Sequence, residues 1–111
     1  MSKKYNIAVV GATGAVGQMM IQVLLEKNFP INNLYLLASN KSEGKKINIL
    51  DQEFTVHALD SFNFNGVDIA LFSAGSDVSK KYAKEATRNN SIVIDNTSFF
   101  RYEKDIPLIV P

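Results

Sequence analysis

Apolar and polar positions along the chain alternate in a way that predicts short strands interleaved with helices. Ile7-Ala8-Val9-Val10 is an unbroken apolar run inside a strand over 4–10, the pattern of a strand buried on both faces. A glycine-rich turn follows, and from Gly14 the period becomes helical. Val16, Met19, Met20, Val23 and Leu24 fall at i, i+3, i+4, i+7 and i+8, while Gln18, Gln22 and Glu26 lie on another face. Asn28-Phe29-Pro30 ends this helix, because proline cannot continue it and restricts the residue before it. A second strand is predicted over 34–39, then a polar loop from Asn40 to Lys46 that carries Gly44. Residues 47–50 and 53–58 alternate around Asp51-Gln52 and predict a small hairpin. Residues 67–73 form a further buried strand. Ser76 or Asp77 can cap a helix reaching about Asn89, with Val78, Tyr82, Ala83 and Ala86 on one face. Residues 92–95 are another strand, and 108–110 begin one more.

Strands that alternate with helices and show no wet face predict an α/β fold. The architecture expected is Rossmann-like and doubly wound: a mostly parallel sheet with helices on both faces, in three α/β/α layers. A length of 111 residues fits one domain, 1–111, and no repeat or linker divides it.

Composition narrows the chemistry. A hydrophobic fraction of 46% and a charged fraction of 21% are those of a globular chain, and a net charge of +1 gives no electrostatic reason to expect nucleic acid or an acidic membrane as partner. No apolar run approaches the roughly 18 residues of a membrane span, and Met1-Ser2-Lys3-Lys4 leads straight into a strand, so the cytoplasm is the expected location. The absence of cysteine removes disulfides, thiolate metal ligands and cysteine nucleophiles from this chain. His57 lies in a strand-like alternation and reads as a surface or sheet-edge residue, so no metal site is expected.

The turn Gly11-Ala12-Thr13-Gly14-Ala15-Val16-Gly17 carries the clearest chemical signal. The first N–H groups of a helix lack intrahelical partners, and the helix dipole adds partial positive charge there, so a pyrophosphate suits the position. Gly11 allows a tight exit from the strand, Gly14 clears space for phosphates, Gly17 lets the helix approach the sheet, and Thr13 offers a hydroxyl. The spacing is G-x-x-G-x-x-G, set between a buried strand and an amphipathic helix. At the end of the second strand, where an NAD site places a carboxylate, stand Ser39-Asn40-Lys41-Ser42. Two hydroxyls and an ammonium suit a 2′-phosphate and favour NADP(H); the same residues also suit a solvated loop. Ser73-Ala74-Gly75 would face the same crevice and let a cofactor lie against the backbone, or serve simply as a strand-to-helix turn.

The sequence resembles the N-terminal part of bacterial aspartate-β-semialdehyde dehydrogenases over essentially its whole length. The resemblance rests on Val9-Val10-Gly11-Ala12-Thr13-Gly14-Ala15-Val16-Gly17, Asn28-Phe29-Pro30, Leu36-Leu37-Ala38-Ser39 and Gly44-Lys45-Lys46. It continues through Asp68-Ile69-Ala70-Leu71-Phe72-Ser73-Ala74-Gly75, Val93-Ile94-Asp95-Asn96-Thr97-Ser98, Arg101 and Pro107-Leu108. It implies NADPH-dependent reductive dephosphorylation of 4-phospho-L-aspartate to L-aspartate 4-semialdehyde, on the route to lysine, threonine, methionine and diaminopimelate. A cysteine thiolate forms a thioacyl intermediate in that family and a histidine acts as acid and base. It implies that Thr13, Gly14, Ala15 and Val16 contact the pyrophosphate, that Ser39, Lys41 and Ser42 lie near the 2′-phosphate, and that Arg101, with Asn96 nearby, binds phosphate or the acyl phosphate. Lys41 stands where many relatives have arginine, and Ser76 where many have a second glycine. The family's cysteine and histidine fall beyond Pro111, so this chain is expected to bind NADP(H) without turnover and the parent to be a homodimer. Two rival readings are an N-acetyl-γ-glutamyl-phosphate reductase, against which Asn28-Phe29-Pro30 and Asn96-Thr97-Ser98 argue, and a non-catalytic NADP-sensing module.

Overall fold

A computed structural model describes the backbone of residues 3–73, 77–96 and Phe99, and the side chains of the same residues except 77–79. The elements are β1 (Tyr5–Val10), α1 (Ala15–Glu26), β2 (Ile31–Ala38), β3 (Lys46–Ile49), β4 (Gln52–Ala58), β5 (Ile69–Phe72), α2 (Asp77–Arg88) and β6 (Ile92–Asp95). They build one six-stranded sheet in the order β3-β4-β2-β1-β5-β6. Every pairing is parallel except that of β3 with β4. The doubly wound α/β architecture is therefore the one expected. The chain leaves β1 through α1 toward β2 on one side and later returns to β5 on the other, which makes the β1/β5 boundary a topological switch point.

Alternation along the central strands sends side chains into two cores. Ile7 and Val9 of β1, Leu36 of β2 and Ile69 and Leu71 of β5 pack with Met20, Ile21 and Leu24 of α1. Ala8, Val10, Leu37, Ala70 and Phe72 point the other way and pack with Ala86, Tyr82 and Ala83 of α2. Phe99, which carried no assignment in the sequence, is buried in the α1-side core. Helices thus cover both faces; of the stripe predicted for α2, Tyr82, Ala83 and Ala86 pack against the sheet, and the Val78 side chain lies outside the described residues.

The α1 stripe differs from the periodicity reading. Gly17, Met20, Ile21 and Leu24 are buried, whereas Val16 is 37% and Met19 54% exposed. The cause is Gly17: a Cβ there would collide with the Gly11 carbonyl oxygen and lie 3.0 Å from Ala12 Cα. The helix rests on the backbone of the glycine turn at a residue without a side chain, and the spacing 17, 20, 21, 24 turns the helix accordingly.

Strand limits shift for similar reasons. β2 begins at Ile31 rather than 34, because Asn6 Oδ1 accepts hydrogen bonds from both Asn32 and Asn33 side-chain amides at 2.9 Å and so holds polar residues in the strand. In the hairpin, Ile49 pairs with Gln52, so Leu50-Asp51 forms the turn instead of Asp51-Gln52. Ile47 and Ile49 face the core, which leaves Leu50 out of alternation and 46% exposed. β5 is shorter than predicted, at Ile69–Phe72. β6 corrects the expectation that no strand has a wet face: it is the outer strand among the described residues, and its Ile92 is 55% exposed. The predicted strand over 108–110 and the cap Ser76 lie outside the described residues.

Candidate functional site

Parallel register brings the functional candidates to one edge of the sheet. Val10 pairs with Leu37 and with Phe72, and Phe72 pairs with Asp95, so the strand ends leading to the glycine turn, to Ser39, to Ser73 and to Asn96 are aligned. This is the carboxyl edge of the strands, where open α/β sheets bind ligands.

The glycine turn is built on β1 and anchored to its neighbours. Gly11 and Ala12 N–H groups both donate to the Leu37 carbonyl, at 2.9 and 3.1 Å. Gly11 adopts φ +85, a conformation glycine takes without strain, and a Cβ there would strike Ser73 Oγ. The Ser73 hydroxyl lies within donating distance of the Val10 and Gly11 carbonyl oxygens, at 3.0 and 3.2 Å, and so braces the strand exit. Gln18 Nε2 donates to Thr13 O at 3.1 Å and fastens the other limb of the turn, a role that its placement on the polar helix face did not reveal.

Gly14 behaves differently from Gly11 and Gly17. It is the N-cap of α1 with φ −78 and ψ 164, and a Cβ would come no closer than 3.6 Å to the Gly11 carbonyl oxygen. Nothing in the described fold forbids a side chain there. Gly14 is exposed, as are Ala15 and Val16 after it, and the helix has neither a capping side chain nor an acidic residue in its first turn. The open N–H groups of that turn, with no competing carboxylate and no Cβ in front of them, fit a pyrophosphate.

Ser39 to Ser42 form the turn that follows β2. Ser39 is the extended residue before a single 3-10 turn over Asn40–Ser42, closed by Ser42 N–H to Ser39 O at 3.0 Å. Ser39 and Lys41 are exposed and Ser42 is half-buried. Asn40 Nδ2 donates to Asp60 Oδ2 at 3.1 Å, and the Tyr82 hydroxyl donates to Asp60 Oδ1 at 2.9 Å. That hydrogen bond, followed by burial and by the charges of Asp60 and Glu85, raises the Tyr82 phenol above its ordinary pKa. Asp60 carried no signal in the sequence, since its partners lie about twenty residues away on either side. Asn96 is half-buried directly after β6, while Ala74, Gly75 and Arg101 lie outside the described residues. His57 is exposed on β4. Among the described residues no three His, Cys, Asp or Glu side chains group as a metal site, and no helix is long and apolar enough to cross a membrane.

The comparisons with known proteins agree with this geometry. The family described as semialdehyde dehydrogenase, NAD binding domain, matches residues 6–111. An aspartate-semialdehyde dehydrogenase of Legionella pneumophila is 57% identical across 100% of this chain, which corresponds to 32% of that protein; one of Rickettsia bellii is 55% identical, again over 100% of the chain and 33% of the relative. A crystal structure of aspartate semialdehyde dehydrogenase II from Vibrio cholerae superposes with a TM-score of 0.79 at 49% identity, over 98% of this chain and 36% of the solved one. The chain spans about a third of the length of the curated relatives it matches. With a doubly wound sheet, an uncapped glycine turn at its switch point and this degree of identity, the chain belongs to the semialdehyde dehydrogenase family as its NAD-binding domain, with aspartate-semialdehyde dehydrogenases as its relatives.

Proposed function

We propose that residues 1–111 form one NADP(H)-binding domain of an aspartate-semialdehyde dehydrogenase, the oxidoreductase that converts 4-phospho-L-aspartate to L-aspartate 4-semialdehyde. The observation that carries the cofactor reading is Gly14, a position where the fold has room for a side chain and the sequence supplies none, in front of an uncapped helix. Gly11, Thr13, Gly14, Ala15, Val16 and Gly17 cradle the pyrophosphate, and Ser39, Lys41 and Ser42 take the 2′-phosphate, with no carboxylate among them to repel it. Ser73, whose hydroxyl is engaged with the backbone, contributes by shaping the strand exit on which Ala74 and Gly75 follow. A reduced nicotinamide bound there supplies the hydride.

Arg101 and Asn96 take inorganic phosphate or the acyl phosphate in the full enzyme. In this reading the thiolate and the acid-base histidine lie outside residues 1–111: this chain has no cysteine, and its one histidine, His57, is exposed on β4. The parent is a cytoplasmic homodimer. Titration of the protein with NADP and NAD tests the cofactor assignment: NADP is expected to bind at least tenfold more tightly, and NAD binding as tight as NADP would overturn it. The 111-residue chain is expected to bind without turnover, so phosphate-dependent aldehyde oxidation by it alone would refute the division of labour.

A further inference from the structure

Asp60 sits in the short turn after β4 (Leu59–Ser61), and its two carboxylate oxygens face different elements. One accepts from Asn40, which opens the turn carrying Lys41 and Ser42; the other accepts from Tyr82 on α2. The Tyr82 ring packs against the core on the face opposite α1. A carboxylate has room for several donors, so its two oxygens hold an amide and a phenol together. The backbone bonds inside the turn are local, Ser42 to Ser39 and Glu43 to Asn40, and Gly44 N–H to Val56 O ties its far end to β4 at 2.8 Å. Asp60 ties the near end.

We propose that Asp60 is a positioning residue for the 2′-phosphate end of the dinucleotide site, fixing Asn40 so that Lys41 and Ser42 stand ready for the phosphate, with Tyr82 making α2 part of that selection. The inference rests on the reading of Ser39 to Ser42 as the 2′-phosphate end. A bare negative charge near a phosphate would act by repulsion, so positioning and simple charge predict opposite signs on removing the carboxylate.

The test is the dissociation constants of NADP and NAD for wild type, Asp60→Ala, Asp60→Asn and Tyr82→Phe in the intact protein, with a thermal midpoint for each. Positioning predicts NADP binding weakened roughly three- to tenfold in Asp60→Ala while NAD stays within about twofold. Tyr82→Phe, whose ring keeps its packing, shifts the ratio in the same direction by less. Asp60→Asn restores most of the preference, because an amide still accepts from Asn40 and can donate to the Tyr82 oxygen. Tighter NADP binding in Asp60→Ala, equal losses for both cofactors, or an unchanged ratio would each overturn the proposal. Wild-type protein that binds NAD as tightly as NADP would place the error one step earlier, in the reading of the turn itself.

Discussion

Three glycines in one seven-residue turn serve three separate constraints, and single substitutions separate them. At Gly17 an added Cβ meets the Gly11 carbonyl and the Ala12 Cα, both backbone and unable to move aside. Gly17→Ala is therefore expected to destabilise the fold by about 1–3 kcal/mol in urea unfolding. At Gly14 the same methyl finds only ordinary contact and an unstrained backbone. Gly14→Ala should leave stability within about 0.5 kcal/mol of wild type, yet weaken dinucleotide binding at least tenfold; equal binding by the variant would remove the main support for the pyrophosphate site. Gly11, at φ +85 and against Ser73, answers to the turn itself.

At the scale of elements, the β3–β4 hairpin closes through Leu50 and Asp51, both left-handed at φ 50 and 63. A two-residue turn with both central residues at positive φ favours Asn-Gly, and a branched side chain there is strained. Replacing the pair with Leu50→Asn and Asp51→Gly is expected to stabilise the protein by about 1 kcal/mol, seen as a rise of several degrees in Tm. The contact between α2 and the turn after β4 has a pH signature. Asp60 raises the Tyr82 pKa from its ordinary 10.0, chiefly by accepting the phenol's hydrogen bond. A pKa raised on folding adds stability that is fully present below the unfolded value and is lost as pH rises through the folded value. The alkaline decline in Tm above about pH 10 should therefore be shallower in Tyr82→Phe than in wild type, and identical profiles would show that the bond contributes nothing.

For the whole molecule, the two cores on either side of the sheet decide where mutations matter. Leu71 is fully buried at the centre of β5, while Ile92 on β6 is 55% exposed although both are apolar strand residues. Leu71→Ala is expected to cost about 2–5 kcal/mol and Ile92→Thr less than about 1 kcal/mol, measured by denaturant unfolding. A large loss at Ile92 would mean that this strand is covered in solution. The sheet also gathers residues that the chain keeps far apart: the ends of β1, β2, β5 and β6 meet at one edge only because their registers coincide.

Much of this was legible in the amino-acid order, because it depends on interactions within a few residues. The strand, glycine turn and helix at 5–26, the α/β alternation and the absence of a carboxylate at the end of β2 all follow from local pattern, and motif resemblance identified the family. Tertiary structure decided what depends on distant neighbours. The buried stripe of α1 moved off Val16 and Met19 because Gly17 rests on the Gly11-Ala12 backbone while Met20, Ile21 and Leu24 pack with strand residues far along the chain. The side chain of Asn6 drew Asn32 and Asn33 into β2 against their local preference. Asp60 found Asn40 only when β4 had been placed beside β2, and Tyr82 only when α2 had packed on the sheet. Period and propensity are properties of a short stretch of chain, whereas hydrogen-bond partners and close approach are properties of surfaces that folding brings together.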